Sequence, residues 1–437
     1  MTTTKQHIFQ SLRNGAVPNI GLEHFAVGIE STRAELHRIM ELCQQGSGEI
    51  KFLRGGYGCG KTFAARMALL DAQHRGFATS FVVVSDNDMH FHRFDDVYSR
   101  IMQQLSTPTC PRAAFGDILD QWIGKIEDKL VNMGEDDTAD DFDQKVQNRL
   151  NSELSALTGG KAPEDFIRVL QTIFALKQAG EYMDAGSLLS WLNGSKNISA
   201  QVKGRANIRG DITSKDALSY LRGVLEIVKA VGYKGMLIVI DEAETILRMR
   251  SDIRHKSLNG LRQIVDCAND YPGLMWLFTG TKEFFDNRKG VAGLEPLHQR
   301  LEFKKQGRFV NLRQPQLELT PFDQQRLENV AIRLRSIYPS SVHARIQSKV
   351  TDEFISMLVK QVTAGFHGDV GVIPRQFLRE FVGVMDLVDQ HDNFDPMEEY
   401  DFTPSNSLNL QEQAVLDQSK LIEEDSEDDL IPVEDSW

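Results

Sequence analysis

The sequence has few cysteines and no long apolar run. Its 437 residues include 4 cysteines, which are scattered and form no CxxC pair. Neither a disulfide framework nor a cysteine zinc site is indicated, and a reducing compartment is favoured. The longest apolar runs, 81–84 and 236–240, have the length of strands and fall far short of a membrane span. Because no basic-then-apolar leader opens the chain, we expect a cytoplasmic protein without a membrane partner.

Proline and glycine are not enriched either. The chain has 13 prolines and 33 glycines, which excludes collagen-like and low-complexity proteins. The composition, 41% apolar and 25% charged, is typical of globular proteins. This length is enough for two or three packed units.

Negative charge is in excess, but the excess lies at one end of the chain. The formal net charge is −13, and residues 395–437 alone hold 14 acidic residues and 1 basic residue. The remainder is therefore balanced in charge. The low apolar content of residues 393–437 predicts an acidic, disordered tail. An acidic arm that docks on a basic partner, or that shields a nucleic-acid groove, stays open as an alternative.

The spacing of apolar residues divides the chain into segments. Residues 1–48 are predicted to be a helical lead-in with a helix capped at Ser31, residues 49–320 a mixed core, and residues 321–392 a separate helical domain. Within the core, helical spacing over 111–200 predicts an all-helical insertion. Strands are predicted at 49–53, 78–84, 236–240 and 274–278. Because these strands alternate with helices, the fold class is α/β, a parallel sheet covered by helices on both faces.

A glycine-rich segment between the first predicted strand and the next predicted helix fits G-x-x-x-x-G-K-[ST] in full. It reads Gly55, Gly56, Tyr57, Gly58, Cys59, Gly60, Lys61, Thr62. The glycines let successive backbone N–H groups face one anionic centre, and the following helix adds its positive end. Lys61 is placed to bind the β- and γ-phosphates, and the Thr62 hydroxyl is a hard oxygen ligand for Mg²⁺. The segment predicts ATP binding with magnesium.

A second segment, the apolar run 236–240, ends in Asp241 and Glu242. Asp241 is predicted to hold Mg²⁺ opposite Thr62, and Glu242 to polarise the attacking water as a general base. A third strand, 274–278, leads to Thr279, a candidate sensor of the γ-phosphate because polar residues at the carboxyl end of a parallel strand point into the site. A hydroxyl that satisfies the local backbone is the alternative for Thr279.

The order of these motifs resembles that of AAA+ ATPases, nearest to the initiator-like branch that includes origin-recognition proteins. It also resembles the ATP-binding proteins of bacterial bacteriophage-exclusion (BREX) systems, over roughly residues 15–392. The segments that carry the likeness are 54–62, 240–244 and 373–379, and Val27-Gly28-Ile29-Glu30 resembles the entry motif of the branch. The resemblance implies a P-loop NTPase core with a C-terminal helical lid.

The resemblance also implies two arginine roles. Arg375 is similar to sensor 2, which contacts the γ-phosphate from the lid, and Arg300 in His298-Gln299-Arg300-Leu301 is similar to an arginine finger that reaches a neighbouring subunit. Arg288 and Arg308 compete for the finger role. Other defence-system proteins are the implied partners, and the resemblance allows a homo-oligomer and DNA as further partners.

Three functions follow as hypotheses. The first is a Mg²⁺-dependent ATPase that acts as a nucleotide switch in antiphage defence. The second is an ATP-gated adaptor that does not hydrolyse ATP. The third is a DNA-binding loader like the origin-recognition proteins, for which salt-sensitive duplex binding is expected.

Overall fold

The computed structural model describes residues 2–85, 89–156, 162–307, 309–365 and 373–400. Its contacts group them into two compact units. The sheet unit comprises residues 26–56 and 60–320, and the helical unit comprises residues 2–25, 57–59 and 321–400. The segment predicted as one lead-in, 1–48, therefore contributes helices to both units.

The sheet unit contains a six-stranded sheet and a two-stranded hairpin. The strands of the sheet are β1 (Glu49–Arg54), β2 (Ala78–Val83), β3 (Leu105–Ser106), β4 (Met236–Asp241), β5 (Leu274–Gly280) and β8 (Gln316–Glu318). Their order is β3-β2-β4-β5-β1-β8, parallel except for β3 against β2. The hairpin pairs β6 (Lys305–Gln306) with β7 (Phe309–Val310). The predicted mixed α/β fold with a mostly parallel sheet is confirmed.

The two central strands are buried on both faces. All six residues of β4 and all seven of β5 are buried, which explains why they are continuous apolar runs rather than alternating ones. Helices α2 (Glu30–Gln44), α3 (Lys61–His74), α4 (Phe94–Gln104), α10 (Ala217–Ala230), α11 (Ser251–Cys267), α12 (Lys282–Asp286) and α13 (Glu295–Arg300) belong to the same unit. Ser31 lies inside the first turn of α2, whose N-cap is Ile29, so the predicted cap is wrong by two residues.

Among the described residues between β3 and β4, the regular elements are all helices. This segment contains α5 (Phe115–Asn132), α6 (Phe142–Ser155), α7 (Glu164–Gln178), α8 (Tyr182–Leu192) and α9 (Ala200–Arg205) before α10. Apolar residues at helical spacing, such as Leu119, Trp122 and Ile126 in α5, are buried in the same core as the sheet. Leu157, the last position of the predicted second stripe, lies outside the described residues.

The helical unit is built from α1 (Thr2–Arg13), α14 (Gln324–Ile337), α15 (His343–Lys349), α16 (Asp352–Gly365), α17 (Ile373–Gln390) and α18 (Pro396–Glu399). The predicted stripes on α14, α16 and α17 are buried. Arg13 on α1 donates two hydrogen bonds of 2.6 Å to Asp386 on α17, and the Tyr338 hydroxyl donates to the same carboxylate. This shared carboxylate holds α1 against α17.

The predicted disordered tail begins too early at 393. Residues 396–399 form α18, and Tyr400 packs its ring on Phe354 and donates a 2.7 Å hydrogen bond to Glu380. A buried aromatic contact outweighs the acidic composition of this stretch. The rest of the tail, 401–437, lies outside the described residues. Among the helices that the structure describes, none is both long and apolar enough to cross a membrane.

Candidate functional site

The glycine-rich segment lies in the turn between β1 and α3. Gly58 and Gly60 have φ angles of +67° and +86°, a conformation that side chains with a Cβ rarely adopt. At the start of the turn, the Gly55 N–H donates a 3.2 Å hydrogen bond to the Gly280 carbonyl at the end of β5. The sequence therefore uses glycine where the backbone reverses from the strand into the helix.

The turn leaves room for an anion beside a helix N-terminus. A Cβ added at Gly56 would meet no protein atom within 4 Å, so packing against the protein does not require a glycine there. Gly60 is the N-cap of α3 and gives its first amides no side-chain acceptor. The N-terminus of a helix attracts anions. The segment thus has the form of a phosphate cradle.

Lys61 begins α3 and is buried, with 9% of its surface exposed. Its ammonium donates hydrogen bonds of 3.1 and 3.0 Å to the carbonyls of Gly55 and Gly56. The cation therefore lies against the first residues of the turn, where the sequence predicts the β- and γ-phosphates.

The two predicted magnesium ligands are in direct contact. The Thr62 hydroxyl donates a 2.9 Å hydrogen bond to Oδ2 of Asp241, although 179 residues separate them. Parallel strands bring this contact about, because β4 and the turn after β1 reach the same carboxyl edge of the sheet. With its proton donated to the carboxylate, the Thr62 oxygen keeps lone pairs for a hard cation.

Thr279 is fully buried between the two acids. Its hydroxyl donates a 2.5 Å hydrogen bond to Oδ1 of Asp241 and accepts a 3.0 Å hydrogen bond from the N–H of Glu242. Strand β5 neighbours β4 in the sheet, so a polar residue near its end reaches the Asp241 carboxylate and the Glu242 backbone. The local hydrogen-bonding alternative describes Thr279 in this structure, and its role as a phosphate sensor stays a prediction.

Two glutamates follow β4 in different environments. Glu242 is half-buried and has a φ of +62°, a conformation that is uncommon outside glycine. Glu244 lies in a 3-10 helix (Ala243–Arg248), and 8% of its surface is exposed. Burial raises the pKa of Glu244 to about 7, against the opposing effect of the Lys61 ammonium. The sequence predicts no role for Glu244 beyond its place in the segment that carries the family likeness.

Arg54 lies directly before the turn, and the sequence predicts no separate role for it either. It is buried, and its guanidinium bonds to Asp286 at 2.6 Å and to Gln316 at 3.0 Å, with the Phe303 ring 4.5 Å away. A charge before a glycine motif gives no sequence signal for these partners, since they are more than 230 residues away. The interactions fix the backbone from which the turn departs.

Other predicted residues lie elsewhere. Arg300 ends α13 and is paired with Asp266 of the same unit. Arg375 is exposed on α17 of the helical unit, where its Nε would lie 2.9 Å from a Cβ added at Gly15. In the turn itself, Cys59 is buried and Tyr57 is 37% exposed. Arg308 lies outside the described residues. The roles of these residues stay predictions.

The fit of a magnesium ion rests on few protein ligands. Over the described ranges, no group of three or more His, Cys, Asp or Glu side chains is placed to hold a metal. Thr62 and Asp241 supply two oxygen ligands at one edge, which suits Mg²⁺ because this ion keeps several waters and takes further ligands from substrate phosphates. The residues therefore fit a magnesium ion that arrives with a nucleotide.

A glycine cradle with a buried lysine, facing an acid pair on a parallel sheet, defines an ATP-binding protein. The family described as "BREX system ATP-binding protein BrxC/D" matches residues 1–404, and the chain belongs to this family. The predicted resemblance to BREX ATP-binding proteins is confirmed.

Solved structures provide a further comparison. The chain is similar to the Walker-type ATPase paby2304 of Pyrococcus abyssi, with 12% identity, a TM-score of 0.31, and coverage of 83% of this chain and 74% of that chain. No curated protein matches the sequence.

Proposed function

We propose that the protein is a Mg²⁺-dependent, AAA+-like P-loop ATPase that acts as a nucleotide switch in a BREX defence system. The observation that carries this proposal is the contact of Thr62 with Asp241 beside the Lys61 ammonium. The glycine-rich turn and the acid that ends β4 meet there, although 179 residues separate Thr62 from Asp241. Family membership supports ATP binding and a role among the other BREX proteins.

Each side chain has one task in this proposal. Lys61 binds the β- and γ-phosphates, while Thr62 and Asp241 hold the metal. Glu242 accepts a proton from the water whose oxygen bonds to the γ-phosphorus as the bond to the β–γ bridging oxygen breaks. Thr279 holds the Asp241 carboxylate and the Glu242 backbone in place. Magnesium, when bound, neutralises charge on the phosphate oxygens.

The arginines extend the proposal to the switch itself. Arg375 contacts the γ-phosphate and couples the nucleotide state to the helical lid, and Arg300 reaches the nucleotide of a neighbouring copy. Hydrolysis then releases the conformation that ATP stabilises, and other defence-system proteins respond to this change of conformation. Location in the cytoplasm is part of the same proposal.

The test uses the purified full chain with ATP and Mg²⁺. Glu242→Gln should keep ATP affinity within about threefold and reduce phosphate release about 100-fold or more, because it removes the proton acceptor and preserves shape. Calorimetry measures the first quantity and a phosphate-release assay the second.

The matched control is Glu283→Gln, which alters an exposed acid on α12 outside the site. It should change neither the ATP affinity nor the rate of phosphate release. Wild-type protein that binds ATP without releasing phosphate would favour the adaptor hypothesis. Glu242→Gln turnover equal to wild type would show that Glu242 is not the base.

A further inference from the structure

Glu244 faces the cradle without taking part in the proposed hydrolysis. Its Oε1 lies 3.8 Å from the Lys61 ammonium, and both side chains are 9% exposed. Its Oε2 is buried and has no hydrogen-bond partner. Buried carboxylate oxygens are nearly always bonded, so an unbonded one beside a ligand site needs a reason.

The Lys61 ammonium already donates to the protein's own backbone. An ammonium has three donors, and two of them go to the Gly55 and Gly56 carbonyls. The Glu244 carboxylate is paired with the same ammonium at 3.8 Å, so a phosphate oxygen that approaches Lys61 competes with it. A triphosphate also brings several negative charges close to a buried carboxylate, which is unfavourable at low dielectric.

We propose that Glu244 is a positioning residue that holds Lys61 in the nucleotide-free protein, so that ATP binds in competition with its carboxylate. The inference rests on the proposed function, because it assumes that Lys61 is the phosphate ligand. Uptake of a proton by Glu244 removes the competing charge and leaves Lys61 to the phosphates.

The electrostatics of the site support this exchange. The charged groups that act on Glu244 are Lys61 from α3 and the two acids Asp241 and Glu242 at the end of β4. Burial raises the pKa of Glu244 to about 7, Lys61 lowers it, and the two acids raise it further. The side chain is therefore balanced between its two forms at neutral pH, and an added triphosphate shifts it toward the protonated form.

The experiment compares wild type, Glu244→Gln and the control Glu35→Gln, which alters a buried lysine–glutamate pair away from the cradle. Affinity for the non-hydrolysable β,γ-imido analogue of ATP with Mg²⁺ is measured at pH 6 and pH 8. At pH 8, Glu244→Gln should bind about tenfold more tightly than wild type, because the charge is gone. At pH 6 the two should converge, since wild-type Glu244 is then mostly protonated, as glutamine mimics. Glu35→Gln should follow wild type at both values.

Equal affinity of wild type and Glu244→Gln at pH 8, or a difference that does not change with pH, would overturn the inference. If Glu244→Gln does not fold, wild-type calorimetry in buffers of different ionisation enthalpy decides the question. Binding at pH 8 should then take up a sizeable fraction of one proton, and zero uptake would contradict the inference. Failure of the proposed function is distinguishable, because Lys61→Ala would then bind the analogue as well as wild type.

Discussion

Two buried lysines, one within strand β1 and one at the start of α3, each lie beside a glutamate. Lys51, within the strand, is 4% exposed, and Lys61, beyond its end, is 9% exposed. Each ammonium donates to two backbone carbonyls. The carboxylate oxygens lie 3.4 Å away for Glu35 and 3.8 Å away for Glu244. By composition and burial the two pairs are nearly the same.

The two pairs differ in whether both carboxylate oxygens of the glutamate have hydrogen-bond partners. Both oxygens of Glu35 accept hydrogen bonds from Arg38, at 2.7 and 2.8 Å, whereas Oε2 of Glu244 has no partner. Burial raises the pKa of Glu35, but Arg38 and Lys51 outweigh it and the net shift is downward. The acid with both oxygens bonded holds the fold, whereas the acid with an unbonded oxygen lies beside the lysine that we propose exchanges it for a phosphate.

The largest expected effect comes from removing each lysine. Lys61→Ala should weaken ATP binding about 100-fold or more, because the phosphates lose their buried cation. Lys51→Ala should keep ATP affinity but lower the free energy of unfolding by about 3–5 kcal/mol, because it breaks a buried pair. Calorimetry with ATP and urea denaturation measure the two quantities. Loss of ATP binding in folded Lys51→Ala would show that the two lysines do not have separate roles.

Next in size is the pH dependence of stability, which should have opposite signs for the two acids. Folding raises the pKa of Glu244 from 4.5 to about 7, so its stabilisation is present below pH 4.5 and is lost as pH rises through 7. Between pH 5 and pH 8, wild type should therefore lose on the order of 2 kcal/mol more than Glu244→Gln.

Folding lowers the pKa of Glu35, so its stabilisation is present above 4.5 and is lost as the pH falls through its lower folded value. Glu35→Gln should consequently flatten the acid limb of the stability curve and leave the limb near pH 7 unchanged. Urea denaturation across pH 3–8 measures both curves. A common sign for the two variants would contradict the assignment of one glutamate as fully hydrogen-bonded and the other as not.

A smaller effect is expected for two buried threonine hydroxyls. Thr279→Val leaves the Glu242 N–H without its acceptor, and Thr79→Val removes a hydroxyl bonded to Gln73 and Ser106 on the far side of β4. Each should cost about 1–2 kcal/mol of unfolding free energy. Thr279→Val alone should also slow ATP turnover, because Asp241 loses its 2.5 Å donor. Equal turnover in both variants would show that Thr279 only satisfies the local backbone.

The smallest effect on stability is expected for Arg300→Ala. Arg300 and Asp266 form an exposed ion pair, with 41% and 36% of their side chains accessible. The substitution should therefore change the free energy of unfolding by less than about 0.5 kcal/mol. Turnover should nevertheless fall at protein concentrations where copies associate. Full ATP turnover by Arg300→Ala under those conditions would show that Arg300 is not the arginine finger.

The sequence was informative where one local pattern determines one element. The apolar runs 236–240 and 274–278 predict β4 and β5 nearly to the residue, because a strand buried on both faces must be continuously apolar. The cradle and Asp241 were predicted for a similar reason, since their spacing is fixed by the chemistry of phosphate and magnesium.

Short elements and distant pairs could not be predicted. Strand β3 has two residues and β8 three, too few to show a period. Glu244 lies near Lys61 because of the 3-10 helix that follows β4. Arg54 binds Asp286 because two segments that are distant in sequence pack together. Neither leaves a pattern along the chain.

The 179 residues between Thr62 and Asp241 have a consequence for synthesis. At bacterial and eukaryotic elongation rates of about 5–20 residues per second, roughly ten to forty seconds pass between the two halves. Throughout that interval the nascent chain carries a glycine cradle and its cation without the carboxylates that complete it. A nucleotide therefore cannot stabilise the nascent chain by binding to the complete site. The whole helical insertion must be synthesised before Asp241 is present.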